Sequence, residues 1–162
     1  MKADTRTMTT WREFEDEAPE LARTARNAFE STRHHVLATL RTDGAPRVSG
    51  TEVDIHGDHL TIGSMWTALK ARDLQRDPRY ALHTNPGDGE MQTPDVKVSG
   101  RAVEAGADEV AAYVEHAPGT PQPFHLFRMD VDEVVLAGIN DTRTGMIIQL
   151  WRPGRAVQTF IR

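Results

Sequence analysis

The sequence predicts a mainly β domain: a small antiparallel barrel with a helical N-terminal region and short flanking helices. Short segments that alternate apolar and polar residues recur along the chain, as in half-buried strands. Turn signals such as Asp43-Gly44 separate these segments closely, and Asp-Gly is a strong hairpin signal. Because strands dominate and turns recur at short intervals, a barrel is favoured over a doubly wound sheet.

Length and composition limit the classes of protein that need to be considered. The 162 residues suit one domain, and we expect residues 1–8 to be a disordered leader and 9–162 to form that domain. The absence of cysteine excludes a disulfide scaffold, a thiolate nucleophile and a cysteine-ligated zinc site. A net charge of −5 does not favour nucleic-acid binding.

The same sequence predicts a cytoplasmic protein with no membrane partner. Its apolar runs are too short to span a bilayer. Its first residues, MKADTRTMTTWREFEDE, contain no apolar signal-peptide core.

The N-terminal region is predicted to be helical, either kinked at Pro19 or divided there into two helices. Thr10 and Glu13 match a capping box at the start of the first helix. Pro19 interrupts the helical pattern and fits the first turn of a second helix. The apolar stripe of this region comprises Trp11, Phe14, Ala18, Leu21, Ala22, Ala25 and Phe29, and we expect it to cover one end of the barrel.

The strands are predicted as a meander followed by longer connections. The first covers residues 34–42, the second begins near Pro46, and the third covers 59–63 after a turn at 56–58. The later elements are a strand from Tyr80, a loop at 85–94, a strand at 96–105, a helix at 107–116, a proline-rich connection at 117–123, and strands in 124–139, 146–151 and 156–161.

Two of these later segments carry specific expectations. Gly100, in the middle of its strand, indicates a bulge or a close backbone approach. Residues 124–139 are too long for one ordinary strand, so we expect either one strand that turns a barrel corner or two short strands.

Arg47–Leu74 is the part of the chain that points most directly to a function. A strand hairpin leads into a short basic helix, which we expect from about Thr67, with Thr67 as a plausible N-cap. The free N–H groups at a helix start favour an anion. Lys70 would lie one turn inside this helix, and Arg47 would project from the preceding strand. Our hypothesis is that this unit binds the phosphate of a flavin-like cofactor.

The order and spacing of several blocks identify a resemblance. These blocks are HVLATLRTDGAPRVSGTEV, LTIGSMWTALKARDLQRDPRYAL, VKVSGRAV, FRMDVDEVVL and WRPGR. From about Phe29 to the C-terminus the chain resembles the FMN-binding split barrels, the pyridoxamine 5′-phosphate oxidase-like superfamily. The most specific block is KARDLQRDPR, which follows the third strand.

The resemblance implies a split-barrel homodimer with FMN in a cleft between the two subunits. It implies that Arg47 and Lys70 contact the cofactor phosphate. The other cofactor-binding residues that it implies are Val48, Ser49, Gly50 and Thr51 along the ring, and Ile62, Gly63, Ser64 and Thr67 at the ring or phosphate. Trp66 either stacks on the cofactor ring or shields the dimer cleft.

Two departures from the family pattern bear on the cofactor and substrate. Leu69 stands where many FMN-binding members have a second basic residue. Arg72 and Arg76 either compensate for it or hold the longer anionic tail of the deazaflavin coenzyme (F-420). The C-terminal WRPGRAVQTFIR has arginine but no histidine, whereas the vitamin-B6 oxidases use both, so we do not expect pyridoxamine phosphate oxidase activity.

The function predicted first is a cytoplasmic oxidoreductase that transfers hydride to or from a small organic substrate through FMN. Because such a cofactor supplies the chemistry, no catalytic side chain is required. The alternatives are a deazaflavin-dependent reductase, a non-catalytic flavin- or haem-binding protein, and a structural dimer with an empty cleft. Asp54, His56, Asp58 and His59 surround a hairpin tip, where these are ordinary turn residues, so no metal site is predicted.

Overall fold

The computed structural model describes residues 8–87 and 89–162; except for Met8, the predicted leader lies outside them. The described elements are α1 (Trp11–Glu17), α2 (Pro19–Glu30), β1 (His34–Leu40), β2 (Pro46–His56), β3 (His59–Met65), α3 (Leu69–Arg76), β4 (Arg79–His83), β5 (Asp95–Glu104), α4 (Ala107–His116), β6 (Phe124–Ile139), β7 (Met146–Trp151) and β8 (Gln158–Ile161).

Six strands close an antiparallel barrel, which confirms the predicted fold class. Hydrogen-bonded neighbours follow the order β3-β2-β1-β4-β5-β6, and a further pairing of β3 with β6 closes the ring. β7 and β8 extend the sheet beyond β6. Residues 34–40 of β1 pair with residues 46–52 of β2, so the predicted hairpin at Asp43-Gly44 is present.

Residues 124–139 form one continuous strand, which resolves the alternative that the sequence left open. The first part of β6 pairs with β3 and the last part pairs with β7. The partner strand β5 follows this course through a register shift between Ser99 and Gly100. A Cβ atom on Gly100 would lie 1.8 Å from the carbonyl oxygen of Asp130, so the predicted bulge and close backbone approach are both confirmed.

The N-terminal helices begin as the sequence predicts. Thr10 and Glu13 form a reciprocal capping box, and Pro19 opens α2. The buried stripe of both helices joins the core, where the rings of Phe14 and Trp151 lie 4.6 Å apart. The backbone N–H of Val131 donates to the carbonyl of Thr9 at 2.8 Å, which ties the segment before α1 to β6. None of the helices within residues 8–87 and 89–162 is long and apolar enough to cross a membrane.

Candidate functional site

A cleft of about 680 Å³ lies beside β2 and β3, with the start of α3 at its margin. Consecutive residues of β2 and the later residues of β3 provide much of its lining. α4 and the segment that follows it contribute the other lining residues. The cleft-lining residues used below are Gly50, Thr51, Glu52, Asp54, Gly63, Ser64, Met65, Lys70 and Tyr113.

Lys70 brings a positive charge to this cleft. It is half-buried in the first turn of α3, and its Nζ donates to the carbonyl oxygen of Gly50 at 2.8 Å. No carboxylate within the described residues forms an ion pair with it. Burial lowers the pKa of Lys70, and the charge of Glu52 only partly opposes this effect. An ammonium carries three donors, so Lys70 retains donors for an anion.

Ser64 contributes an unsatisfied hydroxyl to the same cleft. The residue is 5% exposed, and its Oγ has no hydrogen-bond partner within the described part of the chain. A buried hydroxyl without a partner costs about 1–3 kcal/mol. Such a group in a cleft suits a ligand that supplies the missing hydrogen bond.

The helix start differs from the prediction. α3 begins at Leu69, its N-cap is Ala68, and no side chain caps it; the assignment of Thr67 as N-cap was therefore wrong. The cause is a turn in which the N–H of Ala68 donates to the carbonyl of Met65 at 3.0 Å, so the helix starts two residues later. The N–H of Ala71 donates to the carbonyl of Ala68, and since no side chain accepts from the first turn, the N–H groups of Leu69 and Lys70 are available to an anion.

Arg47 is held against α3 rather than in the lining of the cleft. Its Nε donates to Oδ2 of Asp73 at 2.6 Å, and Thr39 and Arg76 donate to the same buried carboxylate. Burial opposes ionisation of Asp73, but these hydrogen bonds more than offset it and hold the pKa below its ordinary value. Asp73 was missed by sequence reasoning, although an acidic residue between the apolar Ala71 and Leu74 is a signal of a buried polar contact.

Trp66 already has an aromatic partner. Its ring is 57% exposed and stacks on His125, with ring centres 4.5 Å apart and planes 4° apart. One face of the indole is therefore covered from within the chain. Only the other face of the indole is available to stack on a cofactor or on a partner.

The remaining candidate residues divide between the cleft, the core and the surface. Those that line the cleft are Gly50, Thr51, Gly63, Ser64 and Lys70. Ile62 lies in the barrel core and Ser49 is half-buried on β2. Val48 points outward and is 71% exposed, and Thr67 and Arg72 are also exposed.

α4 brings residues to the cleft that the sequence did not single out. Nε2 of His116 lies 3.0 Å from Oδ2 of Asp54, and the rings of His56 and His116 lie 4.2 Å apart. Burial and the nearby Asp54 carboxylate raise the pKa of Tyr113 to about 12. The contact between His116 and Asp54 joins residues 62 positions apart, so no local sequence pattern indicates it. Within residues 8–87 and 89–162, no group of three or more His, Cys, Asp or Glu side chains could hold a metal ion.

Comparison with known proteins agrees with this fold. The family model described as pyridoxamine 5′-phosphate oxidase matches residues 21–137. No curated protein matches the chain. A structure of PhzG from Burkholderia lata 383, in complex with tetrahydrophenazine-1-carboxylic acid, is 15% identical with a TM-score of 0.64, over 100% of this chain and 99% of that one.

Two further structures show the same architecture. An FMN-binding, pyridoxamine 5′-phosphate oxidase-related protein from Nostoc punctiforme PCC 73102 is 12% identical, with a TM-score of 0.61 over 90% of this chain and 95% of that one. A haem-binding protein from Mycobacterium smegmatis is 22% identical, with a TM-score of 0.60 over 87% of this chain, which spans 57% of that longer protein. At these identities the likeness concerns the fold. The family model covers most of the chain, which therefore belongs to the pyridoxamine 5′-phosphate oxidase family of split barrels.

Proposed function

We propose that this protein is an FMN-binding oxidoreductase whose cofactor lies in the cleft beside β2 and β3. The observation that carries the proposal is that one cleft holds a cation without a carboxylate partner and a buried hydroxyl without a hydrogen bond. Lys70 offers a half-buried ammonium with no carboxylate partner in the described structure, and Ser64 offers a buried hydroxyl without a hydrogen bond. An anionic, hydrogen-bonding ligand satisfies both groups, and a flavin mononucleotide is such a ligand.

The phosphate belongs at the α3 end of the cleft in this proposal. Lys70 and the uncapped N–H groups of the first turn of α3 would hold it. Arg47 would act there through Asp73, which fixes α3 against β1 and β2. The carbonyl of Gly50 lies beside Lys70 at this end, and Gly63 and Ser64 also line the cleft.

A bound flavin supplies hydride transfer, so the protein itself needs to bind, orient and shield the reactants. In this proposal Lys70, Ser64 and the start of α3 bind the flavin through charge and hydrogen bonds. The substrate proposed is a small organic molecule. Pyridoxamine phosphate is not proposed as the substrate, because the C-terminal segment has arginine but no histidine.

A second copy of the chain completes the site in this proposal. Large apolar side chains are exposed beside the cleft, in β2, at the end of β3 and at the start of α3: Val48, Met65, Trp66 and Leu69. Exposed apolar residues concentrated beside a binding cleft are typical of a protein interface. We therefore propose a homodimer that buries them.

The deazaflavin coenzyme is the second candidate, favoured by one observation. Arg72 is exposed on α3 and has no ion-pair partner among the residues described, so it is available to a longer anionic tail. Arg76 is less available, since it donates to Asp73 and to the carbonyl of Leu40. One available arginine rather than two makes FMN the stronger candidate.

The experiment is a binding titration of Lys70→Ala with FMN and with riboflavin, which lacks the phosphate. Loss of a charge-assisted contact should weaken FMN binding by about 1–3 kcal/mol and leave riboflavin binding nearly unchanged. Arg72→Ala is the matched control, because it removes an exposed cation from the same helix. For FMN we expect little effect of that control, whereas for the deazaflavin coenzyme we expect a clear one.

The wild-type protein is titrated in parallel with FMN, the deazaflavin coenzyme and haemin. Saturation by the deazaflavin alone, with a large effect of Arg72→Ala, would replace FMN by that coenzyme. Saturation by haemin alone would make the protein a haem carrier. Equal affinities of wild type and Lys70→Ala for FMN would overturn the assignment of the phosphate site.

A further inference from the structure

A network around His125 joins the turn before α3 to three other elements. Nδ1 of His125 lies 2.6 Å from Oε1 of Glu104 at the end of β5, and Nε2 lies 3.0 Å from the carbonyl oxygen of Trp66. Oε2 of Glu104 accepts a 2.9 Å hydrogen bond from Nε2 of Gln75 on α3. The start of β6, the end of β5, the turn and α3 are thus connected through one imidazole and one carboxylate.

The chemistry of the two partners defines what the imidazole does. A carbonyl oxygen and an ionised carboxylate only accept hydrogen bonds. Both contacts are therefore complete only when both ring nitrogens of His125 carry hydrogen. The ring also lies flat against the indole of Trp66. His125 therefore holds residue 66 by both its backbone and its side chain.

A short path leads from this contact to the binding groups. Trp66 is the second residue of the turn that the Ala68 to Met65 hydrogen bond closes at 3.0 Å. The carbonyl of Ala68 then accepts the N–H groups of Ala71 and Arg72, which begin the helix. Since α3 has no side-chain cap, the turn contributes to the direction of its first N–H groups, together with the contacts of Asp73 and Lys70 to β1 and β2.

We propose that His125 is a positioning residue that clamps the turn at residues 65–68 and so presents the start of α3 to an anion. Glu104 orients the imidazole and completes the clamp. The consequence for phosphate binding rests on the proposed function, whereas the clamp itself is a property of the protein without cofactor.

The first test is amide hydrogen exchange of the cofactor-free protein in His125→Phe. Phenylalanine keeps an aromatic ring beside Trp66 but makes neither hydrogen bond. We expect exchange at residues 68–72 to rise about tenfold, the scale of one or two lost hydrogen bonds. His83→Phe removes a half-buried histidine of β4 that contacts Thr84 and Asp95 rather than the turn, and it should leave exchange at residues 68–72 unchanged.

The second test measures the effect of the clamp on phosphate binding, and Glu104→Gln is compared with His125→Phe in both tests. In titrations, His125→Phe should weaken FMN binding about tenfold and leave riboflavin binding unchanged.

The outcomes separate the two claims. Unchanged exchange at residues 68–72 in both His125→Phe and Glu104→Gln would overturn the clamp, whatever the cofactor. Increased exchange in a protein that binds no FMN would support the clamp and overturn the proposed function instead. If His125→Phe does not fold, hydrogen exchange at residues 68–72 in Glu104→Gln tests the clamp instead, because Gln75 and the backbone contacts remain in that variant.

Discussion

At the scale of single residues, Asp130 shows how this fold tolerates a buried acid. Its side chain is buried in β6, and Oδ2 has no hydrogen-bond partner within the described residues. Burial raises the pKa of this carboxyl to about 6, with Asp132 and Glu13 adding to the effect and Arg128 opposing it. The backbone carbonyl of the same residue accepts from the Tyr80 hydroxyl at 2.9 Å, so the strand is fixed while the carboxyl is not.

This buried carboxyl predicts a particular dependence of stability on pH. Its pKa is higher in the folded protein than in the unfolded chain, so the fold is favoured at low pH, where both states are protonated. As pH rises from about 4 through about 6, the unfolded chain loses its proton first and the free energy of unfolding falls. The loss from this group is on the order of 2–3 kcal/mol.

Asp130→Asn should remove that loss because asparagine does not titrate. The measurement is the free energy of unfolding by denaturant at pH 4 and at pH 7, for the variant and for the wild type. Subtracting the wild-type change from the variant change cancels the opposite contribution of acids such as Asp73, which are present in both proteins. Asp132→Asn, a neighbouring change that leaves the Asp130 carboxyl in place, should keep most of the wild-type difference. The explanation fails if Asp130→Asn loses as much stability between pH 4 and pH 7 as the wild type.

At the scale of secondary-structure elements, the bulge in β5 is what lets β6 run as one strand of 16 residues. The backbone of β6 approaches Gly100 so closely that no side chain fits there. We expect Gly100→Ala to destabilise the protein by about 3 kcal/mol or more, because the obstructing atom belongs to the backbone. Thermal and denaturant unfolding measure this cost.

Gly138 offers a matched control on β6 itself. A Cβ atom there would meet the side chain of Pro94 at 3.5 Å, which is ordinary contact. Gly138→Ala should change the free energy of unfolding by less than about 1 kcal/mol. Equal losses of unfolding free energy in Gly100→Ala and Gly138→Ala would show that the bulge does not require a residue without a side chain at position 100.

The element scale also shows what the sequence could and could not predict. Alternation, the capping box and Pro19 act between neighbours, so they located α1, α2 and most strands. The observed start of α3 lies later than the predicted one because a turn from Met65 to Ala68 competes with the helix. Helix propensity alone does not predict that competition. The Arg47–Asp73 and Asp54–His116 contacts join residues 26 and 62 positions apart, so only the closed barrel determines them.

At the scale of the whole molecule, the proposed dimer and the proposed cofactor site are coupled. Met65, Trp66, Leu69 and Val48 are exposed. Met65 lines the cleft that contains Lys70 and Ser64, Trp66 and Leu69 each adjoin a lining residue in the chain, and Val48 lies two residues before the lining Gly50 on β2. If a second copy covers them, it also closes the cleft. Cofactor affinity should then depend on protein concentration, since monomers would offer only part of the site.

Val48→Glu tests this coupling. A carboxylate buried at an interface without a partner is costly, so the dimer should dissociate about tenfold more readily or worse, and FMN affinity should fall at the same protein concentrations. Met8→Glu places the same charge on another exposed apolar residue, which does not line the cleft, and should alter neither property. Sedimentation and FMN titration over one dilution series measure both. A dimer that persists in Val48→Glu, or a monomer that binds FMN as tightly as the wild type, would contradict a site completed by the partner.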